Sequence, residues 1–255
     1  MSVTAISGSA SGIGAAVSAV LRAAGHQVIG IDRDNAEVIA DLSTAQGRQA
    51  AIAQVLELSG GMLDGLVCCA GVGVTARSCG LVLAVNYFGV SQLLDGLQEA
   101  LARGRNPAAL VIGSVAATQP GAGQQPMTMA MLEGDEGKAL ALADELGQPH
   151  VAYACSKHAI THQARRLAPE WASRGIRLNV VAPGAVQTPL HQASLDDARF
   201  GQAVRDFVAP LGRAGRPEEI AALVTFLQSE QAAFIHGSVI FIDGGMDAMV
   251  RAPHF

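Results

Sequence analysis

Aromatic residues make up only 4% of this 255-residue chain while half of it is apolar, so the interior must be built from Ala, Val, Leu and Ile instead of large rings. Cysteine is scarce and unpatterned. Cys68, Cys69, Cys79 and Cys155 show no C-x-x-C spacing, which removes the usual metal and redox motifs. Adjacent cysteines in an apolar strand point to opposite faces, so these residues read as small hydrophobes in a reducing compartment. Basic runs are missing too: the net charge is −5 and Lys and Arg are scattered, which argues against nucleic acid or an anionic membrane as partner. No run reads as long and apolar enough to cross a bilayer, and Met1 leads into a strand, not into a basic, cleavable signal; a cytoplasmic protein is expected. Repeats, low-complexity tracts and a linker between two cores are absent from the sequence. Residues 1–255 therefore read as a single domain, a length that one α/β unit can reach.

What is present is an alternation of short apolar runs and longer helical patterns. Strands are expected near 3–7, 27–32, 64–70, 108–114, 177–182 and 238–242, with a short one near 37–40. Helices are expected near 13–24, 44–58, 81–102, 153–173 and 217–229, the last opened by Pro217 with Glu218 and Glu219 at its positive end. Such alternation predicts an α/β fold of the doubly wound, Rossmann type: a seven-stranded, mostly parallel sheet with helices on both faces.

The first strand runs into Gly8-Ser9-Ala10-Ser11-Gly12-Ile13-Gly14, which runs into a helix that stops at Gly25. Gly8 and Gly12 allow the bends and close approach that a pyrophosphate needs, the helix amino end directs free N–H groups at it, and Gly14 lets helix pack on strand. The second strand ends in Asp32, placed to accept hydrogen bonds from the two adenosine ribose hydroxyls. Arg33, next in sequence, could reach a 2′-phosphate. Against that, Ser9, Ala10 and Ser11 offer no basic partner and the Asp32 carboxylate would repel the phosphate, so NAD is expected ahead of NADP.

A second constellation lies near the middle of the chain. Tyr153 and Lys157 are four apart, on one face of a helix, and a lone Ser114 closes an apolar run upstream. A lysine ammonium beside a phenol favours the phenolate and brings tyrosine toward the range of a working general base. His158 and His162 are also four apart, but no acidic or cysteine ligand accompanies them, and they read as ordinary helix residues with no metal.

The spacing G-x-x-x-G-x-G, together with Ser114 and the Tyr153/Lys157 pair, resembles the short-chain dehydrogenase/reductase family. Other marks follow in order: Asp41-Leu42 matches the pair placed against adenine, Ala70-Gly71 the end of the fourth strand, Asn86 a position in the long central helix, and Pro183-Gly184-Ala185-Val186-Gln187-Thr188 the turn after the sixth strand. The resemblance covers nearly the whole length. It implies that Gly8, Ser11, Gly12, Ile13, Gly14, Asp32, Asp41, Leu42, Ala70, Gly71, Pro183, Gly184, Val186 and Thr188 hold the dinucleotide, with Tyr153 and Lys157. It also implies that Tyr153 exchanges the substrate proton, Ser114 stabilises the oxyanion, Lys157 binds the nicotinamide ribose, and Asn86 holds a water of the proton relay. Within the family, stretches such as 24–27, 36–44, 85–89 and 242–248 are most similar to the bacterial branch that acts on 3α-hydroxysteroids and carbonyl compounds. That implies a small apolar alcohol or ketone substrate, a steroid foremost. Reductases of acyl-chain, sugar or quinone carbonyls, and a non-catalytic dinucleotide sensor on the same fold, stay open as alternatives. One departure is Cys68-Cys69, which stands where the family commonly has Asn-Asn and removes amide hydrogen bonds that brace the fourth strand.

Two stretches interrupt the alternation. Thirty-eight residues separate Ser114 from Tyr153, and the insert at about 116–150 carries a Met-rich run at 127–132 and an Ala-rich helical pattern to Leu146, closed by Gly147 and Pro149. A long excursion beside catalytic groups is usually functional, and an apolar-substrate lid is expected. The family commonly pairs subunits through the helices carrying Asn86 and Tyr153; the insert is placed to cover that face and leave a homodimer formed by another surface or by the insert itself. The other stretch, at about 189–215, corresponds to the family's mobile substrate loop. Insert methionines and Phe200, Phe207 and Val208 are candidates for an adaptable apolar pocket, or for core.

Overall fold

The computed structural model describes residues 1–251. Seven parallel strands form one sheet in the order β3-β2-β1-β4-β5-β6-β7. They are β1 (Val3–Ser7), β2 (Gln27–Asp32), β3 (Val38–Ile39), β4 (Gly65–Cys68), β5 (Ala108–Ile112), β6 (Arg177–Pro183) and β7 (Val239–Ile242). The central strands are almost wholly apolar because parallel strands are buried on both faces. Helix α1 (Gly12–Ala23) and the helix Pro217–Gln228 cover one face through Val17, Leu21, Ile220 and Val224. Helix α2 (Ala45–Leu58), the central helix Cys79–Ala102 and the helix Pro149–Ser173 cover the other. The strand order reverses between β1 and β4, and the carboxyl ends of the strands on either side open a crevice there, where ligands bind in such sheets.

Three expectations need correction. The helix bearing Tyr153 starts at Pro149, not at Tyr153: proline at a first helical position lacks only an N–H that would be unpaired anyway, so Pro149 opens this helix and does not close the insert. The central helix is not uniform, since Ala84–Gly89 widens into a π-helical turn around Asn86. Its 24 residues are also long and apolar enough to cross a bilayer, contrary to expectation, but most of them are buried inside the fold, which makes it a core helix.

The insert folds into two short 3₁₀ turns and two helices, Pro126–Glu133 and Glu136–Leu146, each ended by a left-handed glycine, Gly134 and Gly147. They pack on the start of the central helix and on the helix Pro149–Ser173. Met127 and Met131 are core residues and Met129 faces outward, so the insert methionines do not form a substrate pocket. Asp144 fixes the seating, accepting the Gly80 N–H at 2.6 Å in the first turn of the central helix.

Candidate active site

A single cleft of about 910 Å³ runs along the carboxyl ends of the strands, in the upper part of the range for small-ligand sites. At one end the glycine turn leaves β1. Gly8 has φ +69° and donates its N–H to the Ile31 carbonyl at 2.8 Å; a β-carbon there would lie 2.7 Å from the Ala70 nitrogen. A β-carbon at Gly14 would overlap the Gly8 carbonyl. This is a cradle that only glycine leaves open, and with Ser11, Gly12 and Ile13 lining the same wall it suits a diphosphate at the amino end of α1.

Asp32, the last residue of β2, is held toward the cleft by the Ala10 N–H (2.9 Å) and the Arg33 N–H (2.7 Å), which leave each oxygen a further lone pair for ribose hydroxyls. Asp41 and Leu42 form the adjoining wall. Hydrogen bonds to Ser43 hold the Asp41 carboxyl below its ordinary value, with Arg33 and Arg77 adding to the effect. Arg77 escaped the sequence reading because its segment, the loop before the central helix, carries no motif. It brings a second cation to the end of the cleft where Arg33 stood alone in sequence.

The middle of the cleft is lined by Ala70 and Gly71 after β4, by Pro183 and Gly184 after β6, and by Val186 and Thr188. Thr188 caps the helix Pro189–Asp196 by accepting the His191 N–H at 3.2 Å. Cys69 also faces the cleft, but burial pushes its thiol up to about 12, so it presents no nucleophile.

Ser114, Tyr153 and Lys157 meet at the far end. Ser114 follows β5 and its Oγ accepts the Ala116 N–H at 3.1 Å; Lys157 Nζ donates to the Ile112 carbonyl at 2.8 Å and stands 5.9 Å from the Tyr153 ring centroid. The electrostatics differ from the sequence expectation. Burial raises the Tyr153 phenol above its ordinary value, with the neighbouring Ser114 hydroxyl acting the other way. Burial instead lowers Lys157 to about 8, because no carboxylate accompanies its ammonium into the interior. In the free protein, burial thus favours the uncharged form of each group, moving the phenol up and the ammonium down, away from one another.

Asn86 is the one expected site residue outside the cleft lining. Wholly buried, it accepts the Val72 N–H at 2.8 Å and donates to the Val72 carbonyl at 3.0 Å and to Ser156 Oγ at 3.2 Å. Both amide hydrogens are committed within the protein, so the side chain braces the loop after β4. With the Ala70 N–H donating to Ser7 Oγ at 3.2 Å, this bracing compensates for the Cys68-Cys69 departure.

The substrate end is walled by Leu190, His191, Ser194, Val204 and Phe207 from the 189–215 stretch, by Thr118, Gln119 and Pro120 from the start of the insert, and by Met246 and Val250. Phe200 and Val208 lie outside it; Phe200 packs instead against His150 and Arg199. His158 is engaged with the Ala117 carbonyl at 3.0 Å.

Comparisons with known proteins agree with this arrangement. The profile of the Enoyl-(Acyl carrier protein) reductase family matches residues 141–247. A 3-alpha-hydroxysteroid dehydrogenase/carbonyl reductase of Comamonas testosteroni is 48% identical over 100% of both chains. The crystal structure of the 3-alpha-hydroxysteroid dehydrogenase from Pseudomonas sp. B-0831 complexed with NADH is 64% identical, covers 100% of both chains and superposes with a TM-score of 0.99. The more distant 3-oxoacyl-(acyl-carrier-protein) reductase of Escherichia coli (strain K12) is 31% identical over 94% of this chain and 95% of that protein. Given full-length identity of this order and a cleft that gathers the glycine turn, Asp32, Ser114, Tyr153 and Lys157, the chain belongs to the short-chain dehydrogenase/reductase family.

Proposed function

We propose that this protein is an NAD(H)-dependent oxidoreductase that interconverts a 3α-hydroxysteroid and its 3-oxo form and reduces other carbonyl compounds. The observation that carries the reading is the coincidence, in one cleft, of a complete Ser114/Tyr153/Lys157 set with an end walled by the apolar side chains of Leu190, Val204, Phe207, Met246 and Val250. The names of the full-length relatives support the substrate class. A sensor would have no use for all three polar groups at the same place.

The glycine cradle, Asp32 and the wall of Asp41 and Leu42 would hold NAD, which when bound supplies the hydride acceptor of the oxidation. Asp32 favours an unphosphorylated ribose over NADP, against the pull of Arg33 and Arg77. In oxidation, Tyr153 takes the proton of the substrate hydroxyl at its phenolate oxygen, and Ser114 donates a hydrogen bond to the same substrate oxygen. Lys157, as an ammonium, compensates the phenolate and donates toward the cofactor ribose. In reduction, Tyr153 returns the proton. The first turn of the insert and the 189–215 stretch exclude water from the apolar end.

We read residues 1–255 as one cytoplasmic domain that assembles as a homodimer. The insert covers the face of the catalytic and central helices, which leaves the free edge at β7, beside exposed Phe226 and Phe234, as the surface for a second copy. The direct test is a turnover screen of NAD-linked oxidation over hydroxysteroids and small secondary alcohols. Turnover of sugar alcohols or 3-hydroxyacyl esters with no turnover of 3α-hydroxysteroids would overturn the substrate assignment.

A further inference from the structure

Arg48 sits on the core-facing stripe of α2 with Ala51 and Val55, and its side chain is fully buried. A guanidinium in such a place must have every donor matched. It does: Nε donates to Gln92 Oε1 (2.8 Å), Nη1 to the carbonyls of Leu42 (3.2 Å) and Ala84 (3.5 Å), and Nη2 to both oxygens of Glu136 (2.8 and 2.6 Å). Five N–H groups meet five acceptors. Those acceptors belong to different parts of the fold. Leu42 is a wall of the adenosine end of the cleft, Ala84 begins the π-helical turn, Gln92 lies further along the central helix, and Glu136 is the first residue of the second insert helix.

Leu42 also lies against the same π-helical turn: a β-carbon on Gly89 would come within 3.3 Å of Leu42 Cβ and 3.4 Å of its carbonyl oxygen. The wall therefore rests on both Arg48 and the π-helical turn, and the charge that lets Arg48 remain in the interior comes from the insert. We propose that Arg48 is a positioning residue for the adenosine end of the cleft, and that Glu136 makes the insert a strut of the cofactor site through it. This rests on the dinucleotide lying in that cleft; it gives the insert a second role, remote from the substrate end.

The test compares the intact wild type, Glu136→Gln, and the double variant Arg48→Met/Glu136→Leu. NADH affinity is read by fluorescence titration well below the melting temperature, alongside Tm and the split between kcat and KM for NAD. Glu136→Gln is expected to lower Tm and weaken NADH binding roughly tenfold, with kcat at saturating NAD within about twofold of wild type. The double variant removes the buried charge together with its partner, so Tm should return toward wild type while the Leu42 carbonyl stays without its donor and NADH binding stays weak. If the double variant binds NADH as tightly as wild type, the network is only structural and the proposal is wrong; this arm decides even where Glu136→Gln fails to fold. Wild type that did not bind NADH at all would remove the cofactor reading instead, and would be seen without any variant.

Discussion

Replacing Lys157 by Met should make the free protein more stable while abolishing its chemistry. Lys157 is only 6% exposed and its pKa falls from 10.5 to about 8. At about 1.4 kcal/mol per pH unit, the native state bears roughly 3 kcal/mol for keeping this ammonium charged at neutral pH. Met matches the length and removes the charge, but leaves the Ile112 carbonyl without the donor that now reaches it at 2.8 Å, a loss of about 1 kcal/mol. The balance is a gain of roughly 2 kcal/mol, or about 4–8 °C in Tm for a chain of this length. The sign with pH is fixed. Because the unfolded chain holds the Lys157 proton more tightly than the native one, the cost is complete below pH about 8 and disappears above 10.5, so the advantage of the variant should shrink as pH rises through that window. Thermal melts of both proteins without dinucleotide, at neutral pH and across that range, measure it. A variant less stable than wild type at pH 7 would refute the reasoning.

Tyr153→Phe should leave NADH affinity nearly unchanged and lower kcat by about 10²–10⁴, since only proton exchange is lost; near-wild-type kcat would remove Tyr153 as acid and base. Asp32→Ala should raise KM for NAD about 10- to 100-fold, by loss of charged hydrogen bonds, and should narrow the gap to NADP as Arg33 and Arg77 face a 2′-phosphate unopposed. A wild type that already prefers NADP contradicts the assignment. NADH affinity should decline as pH rises through about 8, where Lys157 loses its charge, and in Lys157→Met a titration series should find that dependence gone. Gly8→Ala should weaken NADH binding and lower Tm together, because its β-carbon would sit 2.7 Å from the Ala70 nitrogen at φ +69°; unchanged affinity would mean that the turn has room to relax.

Much of this was readable from the chain because the informative signals are local. The G-x-x-x-G-x-G turn, the acid at the end of β2 and the Tyr153/Lys157 spacing each place chemistry within one strand-turn-helix unit, and the structure gathers them in one cleft. What was not readable depends on residues far apart. Asn86 looks like a solvent-seeking interruption of an apolar helix, and only the approach of Val72 and Ser156 shows where its amide is committed. The start of the catalytic helix was misplaced because Pro149 is equally at home ending a loop or opening a helix, and the preceding Gly147 favours the first reading. Nor could Lys157 be weighed correctly. Adjacency predicts that it acts on Tyr153, but burial of both groups decides their titration, and burial is a property of the assembled sheet. Arg48 is one charged residue among many until its five acceptors arrive from positions up to 88 residues away.

The seating of the insert changes how the protein responds to dilution. A helix face covered by another subunit is protected only as far as mass action allows, and becomes exposed when the protein is scarce. Here that face is covered by residues of the same chain, tied by Asp144 to Gly80 and by Glu136 to Arg48, so the covering segment has a fixed effective concentration. Protection of the catalytic helix is therefore a unimolecular property. The geometry of Ser114, Tyr153 and Lys157 should be the same at nanomolar as at micromolar protein, whatever the assembly state of the remaining surface.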